Sequence, residues 1–208
     1  MKSTQKFLNY FVKAGLSVDG IIGTKSKEAL QVATERLKTI LENRGYKWLN
    51  EQFIFLRLTD KFDNQTTDYT VFVQFGTIAF ALESSTRAGD FYVFNPISYG
   101  GITGTAVLAE GQYIDTWQGS WQTRFGFRSF ECLQSKPVKI WRDGNKNRQI
   151  DKNVTQTGMF GINIHTAGWN NIVDRWSAGC IVHPKADWDA VTRDYFKTKL
   201  YSGTLIEL

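Results

Sequence analysis

Gly161-Ile162-Asn163-Ile164-His165 and, one loop later, Trp176-Ser177-Ala178-Gly179-Cys180-Ile181-Val182 form the stretch whose reading decides this chain. The first run is short and apolar, and it reads as a strand with His165 at its end. Thr166-Ala167-Gly168-Trp169-Asn170-Asn171 is a loop by composition. Ser177-Ala178-Gly179-Cys180 follows, and Ile181-Val182 resumes an apolar strand. His165 and Cys180 stand 15 positions apart. A strand, a loop and a return strand of that length can bring their side chains together.

The residue types suit nucleophilic catalysis. A free thiol is mostly protonated at neutral pH, and a neighbouring imidazole can take its proton to give a competent thiolate. Gly179 and Ser177 before the thiol leave room for a substrate backbone. Backbone amides at Gly179 and Cys180 are candidate oxyanion donors. The carbonyl of Thr166 is a candidate for orienting the ring through its second nitrogen. Trp169 and Trp176 bracket the loop and could wall a groove or simply pack in a core. On residue type alone, Cys180 fits a buried small hydrophobe at least as well. His183, just before Pro184, reads as a surface-turn histidine. Cys132, in Phe130-Glu131-Cys132-Leu133, reads as structural. Arg175 is a candidate carboxylate ligand, although a solvated arginine is the commoner reading.

Outward from this stretch the pattern is mainly β. Phe53–Leu58 and Tyr69–Phe75 read as strands on either side of a polar turn over 60–68. Phe91–Phe94, Val138–Trp141, Gly161–Ile164 and Cys180–Val182 are further strand-like runs. Ala186–Leu200 carries a helical signal. The first 46 residues differ. Leu8, Phe11 and Val12 make one face of a helix that Gly15 can end. Thr24 is a plausible N-cap for a second helix, in which Ala29, Leu30, Ala33, Leu37 and Leu41 keep the helical period and Gly45 closes it. Between them Gly15–Gly23 is a compact loop, where Asp19 can bond neighbouring amides. The fold class is therefore α+β. A helical segment spans 1–46 and a β-rich domain spans 47–208.

The 208 residues carry a net charge of +5, of which +4 falls in residues 1–45. A basic N-terminus suits an anionic partner, or is a solvated helix face. With two cysteines and two histidines, neither cysteine in a CxxC pair, a zinc site is poorly supplied. The Asp19 loop lacks the carboxylates that calcium needs. No metal and no cofactor are expected. No run approaches the roughly 20 apolar residues of a membrane span, and no signal-peptide pattern opens the chain. The expectation is synthesis in the cytoplasm, no stable membrane insertion, no nucleic-acid partner and a monomer.

Two resemblances sharpen this. The series Leu16, Val18-Asp19-Gly20-Ile21-Ile22-Gly23, Lys25 and Ala29-Leu30 resembles the peptidoglycan-binding type 1 module, a small helical bundle. That resemblance implies wall binding around Asp19, Gly20 and Gly23, with the enzyme concentrated on its polymer. The run Gly161–His165 followed by Ser177-Ala178-Gly179-Cys180 resembles the L,D-transpeptidase (YkuD-like) catalytic domain, whose pattern is a strand ending in Ile-His, a loop, and Ser-x-Gly-Cys. Lys136–Asp143 resembles the strand and turn that precede the His. The resemblance implies a β-sandwich, Cys180 as nucleophile and His165 as its base. It implies Ser177, Gly179, Thr166 and Trp176 around the substrate, and peptidoglycan stem peptide as the partner. Ala178 stands where His is usual, and Val182 where Arg or Asn is common. These departures resemble a phage-endolysin-like branch. They point to a hydrolase that reaches the wall through a membrane lesion made by a partner. Cross-linking of wall, or a non-catalytic wall-binding or virion protein on the same fold, are the alternatives.

Overall fold

The computed structural model describes residues 1–97, 104–124 and 126–208, without the side chains of Arg124 and Val154. Two helices open the chain, α1 (Lys2–Val12) and α2 (Thr24–Asn43). Then follow β1 (Gln52–Arg57), β2 (Asp68–Gln74), β3 (Thr77–Ser84), a one-turn helix α3 (Asp90–Phe94), β4 (Thr105–Leu108) and β5 (Gly111–Arg124). Next come β6 (Phe127–Gln134), β7 (Val138–Asp143), β8 (Asp151–Gly158) and β9 (Ile164–Thr166). A 3-10 turn (Asp174–Trp176), β10 (Ile181–His183), α4 (Lys185–Tyr195) and β11 (Leu200–Glu207) complete it. The fold is α+β and mainly β.

Eight strands form one sheet in the order β10-β9-β6-β5-β11-β1-β2-β3, and β4-β7-β8 form a second. The large sheet nearly closes on itself. Ser85, just past the edge strand β3, exchanges backbone hydrogen bonds with Val182 of the opposite edge, at 2.8 and 3.0 Å. Joining the two edges leaves few open N–H and C=O groups there for strand addition.

Strand alternation builds two cores. Phe53 and Phe55 of β1 point into the main core with Trp117, Phe130, Trp188 and Tyr201, and Val138 and Ile140 of the small sheet join from the other side. Ile54 and Leu56, on the opposite face of β1, meet Phe7, Leu8 and Leu37 of the two helices. The helical segment thus packs directly on the sheet.

Several elements differ from the sequence-based expectation. Phe91–Phe94 is helical, because Gly89 caps a single turn whose Val93 is buried against Phe62 and Val107. The α4 helix stops at Tyr195, and Leu200 begins β11, the strand that lies between β1 and β5. Thr24 is the first helical residue of α2, and Gly23 is its N-cap. The His165 strand starts only at Ile164. Gly161, at φ 71°, turns the preceding residues out of the extended path.

Candidate active site

Strands β9 and β10 run parallel, with Ile164 opposite Ile181 and His165 opposite Val182. Successive side chains point to opposite faces of a strand. Ile164, Ile181 and His183 therefore face the main core, while His165, Val182 and Cys180 share the other face. Both sequence-predicted residues lie on that face. Both His165 and Cys180 are partly exposed and line one cavity of about 350 Å³. Arg142, Glu131, Trp176 and Arg175 also line it.

The imidazole is held from behind. His165 Nδ1 lies 2.7 Å from the carbonyl of Thr166. In the tautomer that donates Nδ1–H to that oxygen, Nε2 is left as the basic nitrogen. The thiol is held by the turn before β9. Cys180 Sγ donates to the Gly161 carbonyl at 3.2 Å, and the amide of Asn163 donates to Sγ at 3.4 Å. Loss of the thiol proton turns the first contact unfavourable and strengthens the second, since a thiolate accepts and cannot donate.

The loop before Cys180 is tied down by hydrogen bonds. Ser177 is buried, its Oγ donating to the Cys180 carbonyl at 2.7 Å and accepting from the Gly179 amide at 3.0 Å. The Gly179 N–H, expected at an oxyanion site, is therefore committed to Ser177. Ser177 positions the loop from beneath. Gly179 sits at φ 134°, and a Cβ there would lie 2.4 Å from the Ala106 carbonyl oxygen, so β4 presses on this turn. Thr166 is buried, and its Oγ1 donates to the Ala167 carbonyl at 2.9 Å. Trp176 packs against Gly168, where a Cβ would come within 2.7 Å of the indole nitrogen. Trp169 is 81% exposed, with the Lys185 ammonium 5.2 Å from its ring centroid.

His183 is fully buried, which corrects its reading as a surface histidine. It stacks on Trp188 with ring centroids 4.4 Å apart, and its Nδ1 lies 3.3 Å from the His165 carbonyl. Burial pushes its pKa down from 6.5 to about 3, so it is neutral at physiological pH. Cys132 is fully buried, and burial drives its thiol pKa well up, in keeping with an inert core residue.

Two charged cavity residues, Glu131 and Arg142, are not singled out by the sequence. Cys132 pairs with Ile164 across the antiparallel β6–β9 ladder. That register sets the neighbouring Glu131 across from His165, on the cavity side. Arg142 reaches the cavity from β7 and is 5% exposed. A carboxylate inside the apolar run Phe130–Leu133 was the available signal for Glu131. Arg142 offered none locally, because its place depends on how the two sheets pack.

In the helical segment, Asp19 Oδ1 accepts from Gln5 Nε2 and from the Ile21 amide, each at 2.8 Å. The Gly20 amide donates to Gln5 Oε1 at 2.7 Å. The Asp-Gly turn is thus tied to α1. These bonds hold the Asp19 carboxyl below the usual carboxylate pKa. Among the described residues no group of His, Cys, Asp or Glu is placed to hold a metal ion, and no helix is long and apolar enough to cross a membrane.

No protein-family model matches the sequence, and no curated protein matches it. Among solved structures, the chain is similar to the L,D-transpeptidase (residues 123–326) from Xylanimonas cellulosilytica, with TM-score 0.39 and 12% identity over 97% of this chain and 93% of that one. It is also similar to the catalytic domain of the E. faecium L,D-transpeptidase, with TM-score 0.32 and 14% identity over 75% of this chain and 98% of that one. Similarities of this size leave the chemistry to be read from the residues of the site.

Proposed function

We propose that this chain is a peptidoglycan hydrolase that cleaves a stem-peptide amide through a Cys180 acyl-enzyme. The observation that carries the reading is the shared face of β9 and β10, from which His165 and Cys180 both enter one cavity while the Thr166 carbonyl holds the far side of the imidazole. The likeness of the Ile-His strand and of Ser177-Ala178-Gly179-Cys180 to the L,D-transpeptidase pattern supplies the substrate class.

In this reading His165 Nε2 takes the thiol proton. The thiolate, turned from the Gly161 carbonyl toward the Asn163 amide, attacks the scissile carbonyl carbon. A carbon–sulfur bond forms, and the imidazolium returns the proton to the leaving amine as the carbon–nitrogen bond breaks. Water activated by the same imidazole releases the acyl group and restores the thiol. The absence of the usual His at 178 and of Arg or Asn at 182 supports water over a second stem-peptide amine as acceptor. Asp19, Gly20 and Gly23 are proposed to contribute wall affinity from the helical segment.

The test is mass spectrometry of purified peptidoglycan after incubation with the protein and with Cys180→Ala. The expected result is new soluble stem peptides from the wild type, at least 1,000-fold fewer from the variant (on the order of the loss when an activated nucleophile is removed), and unchanged thermal unfolding. New cross-linked dimers would move the assignment to transpeptidation. Equal product from the variant would exclude Cys180 chemistry altogether.

A further inference from the structure

One donor in the cavity wall lacks the partner that its burial demands. Arg142 is 5% exposed, and two of its nitrogens are fixed by the protein. Nε donates to Gln156 Oε1 at 2.5 Å, and Nη1 donates to the Gly104 carbonyl at 2.7 Å. Nη2 is buried and has no hydrogen-bond partner among the described residues. An unmet buried donor is destabilising, and more so on a charged group. Desolvation also lowers the Arg142 pKa, as expected for a cation kept from water. Native structures rarely keep such a group without a role for it.

Its position gives the role. Arg142 pairs with Ala106 across the β4–β7 ladder. The Ala106 carbonyl is the atom that presses on Gly179, directly before the nucleophile. The guanidinium thus stands one strand away from the Cys180 turn and lines the same cavity as Cys180 and His165. Gln156 and Gly104 lock the orientation of its plane. A preset guanidinium with an unmet N–H is suited to a carboxylate, the anion whose planar geometry it matches.

We propose that Arg142 is the anchor for a carboxylate of the ligand that occupies this cavity. The inference rests on the stem-peptide reading above and deepens it. The ligand is acidic close to the scissile bond, and Arg142 fixes its register against Cys180. Two carboxylates meet that description: the free C-terminus of the leaving residue, or a side-chain carboxylate on the residue that acylates the thiol.

Calorimetric binding of synthetic stem tetrapeptides to the Cys180→Ala protein tests this without turnover. Four peptides are compared: free acid, C-terminal amide, side-chain amide of the third residue, and both amides. Amidation of one carboxylate is expected to weaken binding at least 10-fold and thereby to identify the anchored group. In Cys180→Ala/Arg142→Gln the same amidation should change binding less than 2-fold. Arg142→Lys, which keeps the charge without the fork, should fall between the two. It also serves if the Gln variant does not fold, since the inference then requires the Lys variant to shrink the amidation effect. Binding of the free acid with no loss on either amidation overturns the carboxylate anchor and leaves the proposed function standing. An amidation effect of undiminished size in the folded Arg142 variants also overturns it. Failure of every peptide to bind overturns the stem-peptide reading and the anchor together.

Discussion

At the scale of single residues, the site combines what local sequence states and what only packing determines. His183 shows the difference. Its position three residues after Cys180 and beside a proline suggests a surface turn. The alternation of β10 instead sends it inward onto Trp188. With its pKa depressed to about 3, the folded protein excludes a proton that the unfolded chain binds below 6.5. The unfolded state therefore binds more protons throughout the window between 6.5 and about 3, and stability falls as pH falls through it. At pH 5 this one group costs about 2 kcal/mol relative to neutral pH. His183→Phe keeps a ring against Trp188 and cannot titrate. Urea unfolding at pH 7.5 and pH 5 should show a pH-dependent loss smaller by about that amount than in the wild type. An identical loss in the two proteins would rule out His183 as a buried neutral imidazole. His165 and Cys180 were legible because a strand, a Gly-containing loop and a return strand are local features. Glu131 and Arg142 were not. One needs the β6–β9 register and the other needs the small sheet laid against the large one.

Among elements, the long central strands were the hardest to read. β5 runs from Gly111 to Arg124 through Asp115, Gly119 and Ser120, with β-bulge irregularity in its pairing with β11. Gly119 interrupts the apolar pattern because Tyr201 and Phe130 leave no room, a Cβ there coming within 2.6 Å of Tyr201 and 2.7 Å of Phe130. β3 lacks a clean alternation. Phe80 and Leu82 face the main core while Ile78 and Ala81 face the helices, because the register against β2 shifts between Phe80 and Ile78. Edge strands expose unpaired backbone groups, and this one is finished by threonines from the helices. Thr4 Oγ1 donates to the Ala81 carbonyl at 3.1 Å and accepts from the Ala81 amide at 3.2 Å. Thr34 Oγ1 accepts from the Ile78 amide at 3.1 Å. Thr4→Val preserves shape while leaving a buried amide and carbonyl unmet. It should lower the free energy of unfolding by about 1–3 kcal/mol in urea titrations, with an unchanged denaturant slope. A loss below about 0.3 kcal/mol would mean that water reaches this edge and the helix does not seal it.

For the whole molecule, the question is whether the helical segment is an accessory or part of the body. The resemblance to a wall-binding module implies a unit that could be removed, and the packing argues otherwise. Ile54, Leu56, Val71, Val73 and Ile206 are fully buried beneath Phe7, Leu8, Ala33, Leu37 and Leu41. Covering an aliphatic side chain is worth about 1.5–3 kcal/mol. Exposing this one face of the sheet therefore costs on the order of 10 kcal/mol, comparable to the whole stability of an ordinary domain. Removal would also strip Thr4 and Thr34 from the β3 edge and open it to strand pairing. A chain lacking residues 1–46 should accordingly lose its cooperative thermal transition and associate in solution, even though no residue of the helical segment lines the cavity. Calorimetry and light scattering on that fragment give the answer. A sharp unfolding transition with retained peptide release would mean that the catalytic body stands alone and the helices serve only the wall. Loss of both would mean that the β-rich body does not fold without the pair of helices. Asp19, tied to α1 through Gln5, could then be tested for wall affinity only by substitution within the full chain.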